Sequence, residues 1–157
     1  MVEIAYLKLR GQRQGDIRGP VTEAGHEGAI LVIAARHGIT VPHDPASGLA
    51  SGRCMHKSFV ITKPVDRSSP LLYNALAQNE TIVQGELQFI APASALPSPF
   101  YTVRLTNALI SDIEFSFSDG ANANPTVENV SFTYQKIEWV WNDGNIEATD
   151  TWQPATA

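Results

Sequence analysis

Along most of this chain apolar and polar residues alternate with a period of two, the mark of β-strands that bury one face. Residues 2–9 form a short β-prone run closed by Gly11 and Gly15. Ala29, Ile30, Leu31, Val32, Ile33, Ala34 and Ala35 are apolar without interruption, as in a strand covered on both faces. Phe59 and Ile61 alternate with Ser58, Val60 and Thr62, and Gly85, Leu87 and Phe89 with Glu86 and Gln88. The longest pattern puts Tyr101, Val103, Leu105, Leu109, Ile113, Phe115 and Phe117 at odd positions, with Thr102, Arg104, Asp112 and Glu114 among the even ones. It predicts one long curved strand, or two joined near Asn107. Near the end Val130, Phe132 and Tyr134 are even, then Ile137, Trp139, Val140 and Trp141 move the apolar set to odd positions. A β-bulge at Gln135 and Lys136 would make that change. So would a strand that leaves one core and buries its other face in a neighbouring subunit.

One segment has helical spacing instead. Ser68 or Ser69 is placed to cap a helix, Pro70 suits its first turn, Leu71, Leu72, Ala75 and Leu76 make its stripe, and Asn79 is a left-handed stop. Burying Leu72 and Leu76 contributes roughly 1.5–3 kcal/mol each, so the helix docks on the strands. Seven or so strands and one helix predict a mainly β fold: a closed β-barrel of two packed antiparallel sheets, one flanking helix and a long extended loop. Pro92, Pro97 and Pro99 mark a turn before the long strand, and residues 119–125 mark the next. Eight of the 11 glycines precede position 53, and irregular structure centres on residues 36–52 with Pro42, Pro45, Gly48 and Gly52. A loop of that length in a small barrel predicts a role. His37, Ile39, Val41, Pro42, His43 and Leu49 offer its contacts, towards a partner or, alternatively, back onto its own barrel.

Composition narrows the classes. The chain of 157 residues, 43% hydrophobic, suits one domain over residues 1–157. Only 17% of residues are charged, below the usual quarter, so partners are expected to cover part of the surface. No apolar run reaches membrane-spanning length, and Met1, Val2, Glu3 and Ile4 do not read as a Sec-type signal, so no stable membrane insertion is expected. The one cysteine, Cys54, has no internal partner, which fits cytoplasmic synthesis. The net charge of −5 is uneven: residues 1–67 hold nine Lys/Arg against six Asp/Glu, the remainder two against ten. Opposite patches favour head-to-tail docking of copies unless folding intermixes the charges, and the acidity disfavours nucleic acid.

Catalytic constellations are weak. His26, His37, His43, His56, Asp44 and Cys54 lie close in sequence, but no CxxC, HExxH or HxH spacing joins them, so surface or loop histidines and no metal are expected. There is no G-x-S-x-G elbow and no phosphate loop. Asp112 and Glu114 read as a solvated face rather than an acid/base pair. No enzyme and no cofactor are expected.

Two stretches carry a resemblance: Lys63-Pro64-Val65-Asp66-Arg67-Ser68-Ser69-Pro70-Leu71-Leu72-Tyr73, and the tail from Ser131 to Trp141 with Asp143-Gly144 and Asp150-Thr151-Trp152. Together with Tyr6-Leu7-Lys8, Gly15-Asp16-Ile17, Glu27, Pro42, Asp44, Ser47-Gly48, Gly52-Arg53 and His56-Lys57, the chain resembles the haemolysin-coregulated protein (Hcp) family, in its major exported protein subfamily. Gly19-Pro20 and Cys54 depart from the common pattern, and residues 118–127 look short. The resemblance implies a structural subunit of the type VI secretion inner tube. Six copies would form a ring, and rings would stack through the loop of residues 36–52 and its His37, Ile39, Val41, Pro42, His43 and Leu49, inside a contractile sheath under a VgrG-type spike. The tube would leave the cytoplasm for the medium or a target cell without a cleaved signal peptide, chaperoning effectors in its lumen. The strand of residues 30–36 would then turn Ala34 and Arg36 towards cargo, unless Arg36 simply begins a solvated loop. A bacteriophage tail-tube or tail-adaptor protein would share this logic without the first motif. A stand-alone enzyme or ligand-binding barrel is a third class, which a monomer with a deep polar cleft would support.

Overall fold

A computed structural model of the chain describes residues 3–91, 99–119 and 125–152. Pro92, Pro97 and residues 120–124 of the expected turns lie outside the described residues. In chain order the elements are β1 (Ile4–Gly11), β2 (Gly15–Ile17), β3 (Ile30–Val32), β4 (Ala34–Arg36), β5 (Ile39–Thr40), β6 (Met55–His56), β7 (Phe59–Pro64), α1 (Ser69–Ala77), β8 (Ile82–Ile90), β9 (Pro99–Phe117), β10 (Thr126–Thr133), β11 (Lys136–Trp141) and β12 (Ile146–Thr151). Strands outnumber the seven expected because β2 to β6 have only two or three residues each, too few to show a period.

All pairings are antiparallel. The ladder runs β2-β1-β8-β9-β10-β7-β4, with β3 also on β1 and β11 linking β9 to β12. Strand β9, 19 residues long, belongs to both halves of the fold: residues 99–108 pair with β8 and residues 109–117 with β10. The two inner faces meet in one core, where Leu7, Leu87, Val103, Leu105 and Ile137 pack with Phe59, Ile61, Ile110, Val130 and Phe132.

The change of sheet happens at a corner. Asn107 has φ +50°, and opposite it the chain breaks between β10 and β11 at Tyr134 and Gln135. Both strands change their buried parity there, from Leu105 and Ile137 to Ala108 and Tyr134, without slipping in register. Gln135 donates its backbone N–H to the carbonyls of Thr106 (3.1 Å) and Asn107 (3.3 Å), and Asn107 Nδ2 donates to Gln135 Oε1 (3.1 Å). The tail's parity change is therefore a turn shared by two strands, not a one-strand bulge. The bulge in this pair is elsewhere: Phe132 faces Ile110 but Ser131 faces Asp112, leaving Ser111 extra. On β9 the two shifts cancel. The odd positions thus look continuous although Ala108 and Ile110 are the buried residues between them.

The sheet does not close as a barrel. Residues 30–36 pair with β1 through β3 and with β7 through β4, and Ile33 interrupts the two ladders, its N–H donating to Thr62 O at 2.9 Å. The chain crosses from one neighbour to the other at that residue, so neither β3 nor β4 is laddered on both sides. Full burial on both faces, expected for residues 29–35, also fails. Ala29, Ile30 and Val32 are buried, whereas Ile33 and the whole of β4 are exposed.

Helix α1 forms as its spacing predicts, with Ser69, Leu72 and Ala75 buried and Asn79 at φ +51° beyond its end. Ser68 holds the N-cap position, yet its hydroxyl turns to Asp66 Oδ1 rather than to the helix N–H groups. Gly19 anchors the loop before β3: a Cβ there would lie 2.5 Å from Ala29 O and 2.7 Å from Ile30 Cα, so the two backbones approach only because Gly19 has no side chain.

Candidate functional site

Residues 37–57 are not an irregular loop. They rise from the sheets as a two-stranded arm in which Ile39 faces His56 and Thr40 faces Met55. Lys57 N donates to Gly38 O (3.0 Å), Ser51 N to Pro42 O (2.8 Å), and His43 bridges to Ala50. The tip is a tight turn. Asp44 accepts from Ala46 N (3.1 Å) and Ser47 Oγ (2.9 Å), and Gly48 sits at φ +75°. The Ala46 N–H, then the Ser47 hydroxyl, hold the Asp44 carboxyl below its ordinary pKa. The arm's backbone thus pairs largely with itself, but its apolar side chains do not. Leu49 is 71% exposed, Met55 55% and Val41 37%. Pro42 and Ile39 are half-buried and His43 is exposed.

His37 belongs to the arm's base, where distant segments converge. Its ring stacks on Phe59 (centroids 5.2 Å) and its Nε2 lies 2.7 Å from Tyr134 Oη. The same hydroxyl lies 2.8 Å from His56 Nδ1, and His56 Nε2 lies 2.8 Å from Asp150 Oδ2. Trp152 packs against Tyr134 and His56 at 5.0 and 5.8 Å. One neutral arrangement satisfies every partner: His37 Nε2–H donates to Tyr134, Tyr134 O–H to His56 Nδ1, and His56 Nε2–H to Asp150. Burial, with repulsion from His56 second, pushes the His37 pKa down, and burial followed by the Asp150 charge pushes Tyr134 up. Burial also works to raise Asp150, but hydrogen bonds from His56 and the Thr151 N–H outweigh it and hold that carboxyl low. From sequence His26 and His56 read as surface or loop histidines. Here His26 is buried and the His56 ring is 0% exposed.

Ala34 and Arg36 lie on a different surface, the outer face of the second sheet. Register sets them in two transverse rows: Ala34, Thr62, Asn129 and Glu114, then Arg36, Val60, Ser131 and Asp112. These eight residues and Ala35 line an open polar depression of about 460 Å³. No ion pair joins Arg36, Asp112 or Glu114 to another described residue. The carboxylate pair, read as solvated, is exposed, and it shares its face with Arg36.

The first motif serves the fold. Lys63, alternating in phase with Phe59 and Ile61, is 0% exposed, and its Nζ donates to Glu128 Oε1 at 2.6 Å. Nζ also reaches Ser69 Oγ (3.2 Å) and Asp66 Oδ1 (3.2 Å), and Ser69 Oγ donates to Glu128 at 2.7 Å. This network ties the start of α1 to β7 and β10.

Comparison with known proteins agrees with this architecture. The family described as "Type VI secretion system effector, Hcp" matches residues 6–141. The "Major exported protein" of Pseudomonas aeruginosa is 34% identical over 171 aligned positions, spanning 100% of this chain and 99% of that protein. A mutant Hcp1 from an enteroaggregative E. coli pathovar superposes with a TM-score of 0.87 at 30% identity, over 96% of this chain and 99% of that one. Hcp1 from Salmonella typhimurium, at 19% identity, shares the fold with a TM-score of 0.77 over 96% of each chain.

Proposed function

The chain belongs to the Hcp family of type VI secretion proteins, and from that premise we propose that it is the structural subunit of the secreted inner tube, assembled as stacked rings of six. The observation that carries this reading is the arm of residues 37–57. Its backbone bonds are largely made internally while Leu49, Met55 and Val41 project into solvent. Exposed apolar side chains on a preorganised element suit docking on a second copy. Repetition of one arm-to-body contact along an axis is an open heterologous interface, which grows a tube. Removing residues 40–50 is expected to leave soluble rings but abolish tube growth and export, as read by electron microscopy and by assay of the medium. Tubes and export that survive the deletion would refute the stacking role.

The outer face bearing Ala34 and Arg36 is the proposed lumen wall, where Arg36, Asp112 and Glu114 would meet effectors. Arg36→Glu should preserve rings and change effector retention. Unchanged retention and export would refute that assignment. The sheath and a VgrG-type spike are the expected partners of the tube. Export is proposed to proceed without cleavage, so the secreted chain should keep the mass of the cytoplasmic one.

A further inference from the structure

We propose that Cys54, His56 and Asp150 form a binding site for a zinc-like divalent cation at the base of the arm. Their ligand atoms all lie within 4.8 Å of one another. A tetrahedral ion with S, N and O ligands at about 2.0–2.3 Å holds those atoms roughly 3.3–3.8 Å apart, so His56 Nε2 and Asp150 Oδ2, now 2.8 Å apart, must open by roughly 0.5 Å while the widest pair, at most 4.8 Å, closes by about 1 Å. A thiolate with an imidazole selects zinc and its neighbours over magnesium or calcium, which take oxygen ligands. Three protein ligands leave a fourth position for water. Asp150, 41% exposed, opens the site to solvent, whereas the His56 ring is fully enclosed.

The surroundings are already arranged for a ligand. A metal-bound imidazole is normally oriented by a partner on its other nitrogen. His56 has one, since Nδ1 meets Tyr134 Oη at 2.8 Å while Nε2 points at Asp150. Placing the ion between Nε2 and the carboxylate replaces the proton now shared there. The neutral chain then reverses: His56 Nδ1–H donates to Tyr134, and Tyr134 O–H donates to His37 Nε2, so no partner is lost. The Cys54 thiol hydrogen-bonds Asp150, and burial together with that negative charge raises its pKa. Metal binding displaces its proton to solvent and leaves the thiolate as ligand. The ion would join β6, at the return of the arm, to β12, across 94 residues of sequence. It would clamp the arm's base to the end of the chain.

The test uses the untagged protein under reducing conditions, titrated with Co²⁺ and then Zn²⁺. One Co²⁺ per chain should bind with tetrahedral visible bands and a thiolate-to-cobalt charge-transfer band, and Zn²⁺ should displace it. Cys54→Ser should lose the charge-transfer band and bind Zn²⁺ about tenfold more weakly or worse, while Asp150→Asn keeps the band and also weakens Zn²⁺. Stoichiometric Zn²⁺ should slow iodoacetamide alkylation of Cys54 in the unmodified protein about tenfold or more, a readout that needs no variant. Cobalt bound without a thiolate band, Zn²⁺ affinity unchanged in Cys54→Ser, or alkylation indifferent to Zn²⁺ would each overturn the site.

Discussion

Two of the polar clusters among the described residues differ in kind. The cluster around Lys63 draws on neighbours in one motif plus Glu128, and its ion pair is 0% and 1% exposed. The cluster at the arm's base draws His37, His56, Tyr134 and Asp150 from four segments, and Asp150 remains in contact with water. The first is a buried lock in which Lys63 Nζ meets Glu128, Asp66, Ser69 Oγ and the Pro64 carbonyl. The second is a chain of imidazole, hydroxyl and carboxylate groups whose hydrogen bonds can reverse direction by tautomer exchange. A buried ion pair fixes geometry at the cost of desolvation, whereas a reversible hydrogen-bond chain leaves the arm's base adjustable.

The sharpest way to break the contrast is Lys63→Ala. It strands the Glu128 carboxylate inside the protein and should cost about 3–5 kcal/mol in urea unfolding. Replacing Lys63 by Met together with Glu128 by Leu should recover most of that loss. If the single change costs under about 1 kcal/mol, the lock is not what holds α1. Tyr134→Phe comes next, removing the hydroxyl both histidines use, and should cost about 1–3 kcal/mol by the same measurement.

Protonation separates the clusters further. Because burial holds the His37 pKa below its ordinary value, the unfolded chain takes up that proton first. The contribution is complete above about pH 6.5 and is lost as pH falls below it. Asp150 is held low, so its loss sets in only in more acid solution. His37→Gln should therefore flatten the decline in stability between about pH 6.5 and 5. The smallest effect belongs to the outer face of the first sheet, where Arg104 meets Glu86 (3.1 Å) and Glu138 (3.6 Å) while partly exposed. Arg104→Ala should change stability by less than about 1 kcal/mol, and high salt should erase the difference.

Legibility in the sequence follows the same division. In β7 the buried positions stand where the period puts them; in β8 Gly85 and Leu87 do, but Ile82 and Ile90 are buried off phase and Phe89 is half-buried; in α1 Leu72 and Ala75 are buried, Leu76 is half-buried and Leu71 is exposed. Lys63 fits the buried phase of β7 exactly as an apolar residue would, but its charge hides it until Glu128 is seen opposite. The single parity change at Gln135 is visible in the tail, whereas on β9 the shifts at Asn107 and Ser111 cancel and leave no trace. The base of the arm was only half readable. His37, Cys54 and His56 lie close in sequence, but Asp150 reaches them through the pairing of β11 with β12 and Tyr134 through the corner between β10 and β11. The arm itself was legible as a long segment, not as a hairpin, because its ladder has just two paired residues on each side.

The register of β1 also has a meaning in time. Its neighbour β3 follows soon, but the partner along its whole length is β8, with Ile4 opposite Ile90, and β7 waits for Phe132 to meet Phe59. A growing chain therefore emerges with its first strands unpaired on one side, and the common core can assemble only when most of the polypeptide has been made. Such distant pairings slow folding and prolong exposure of strand edges. The protein is thus most vulnerable to aggregation during its own synthesis, before any copy of it can meet another.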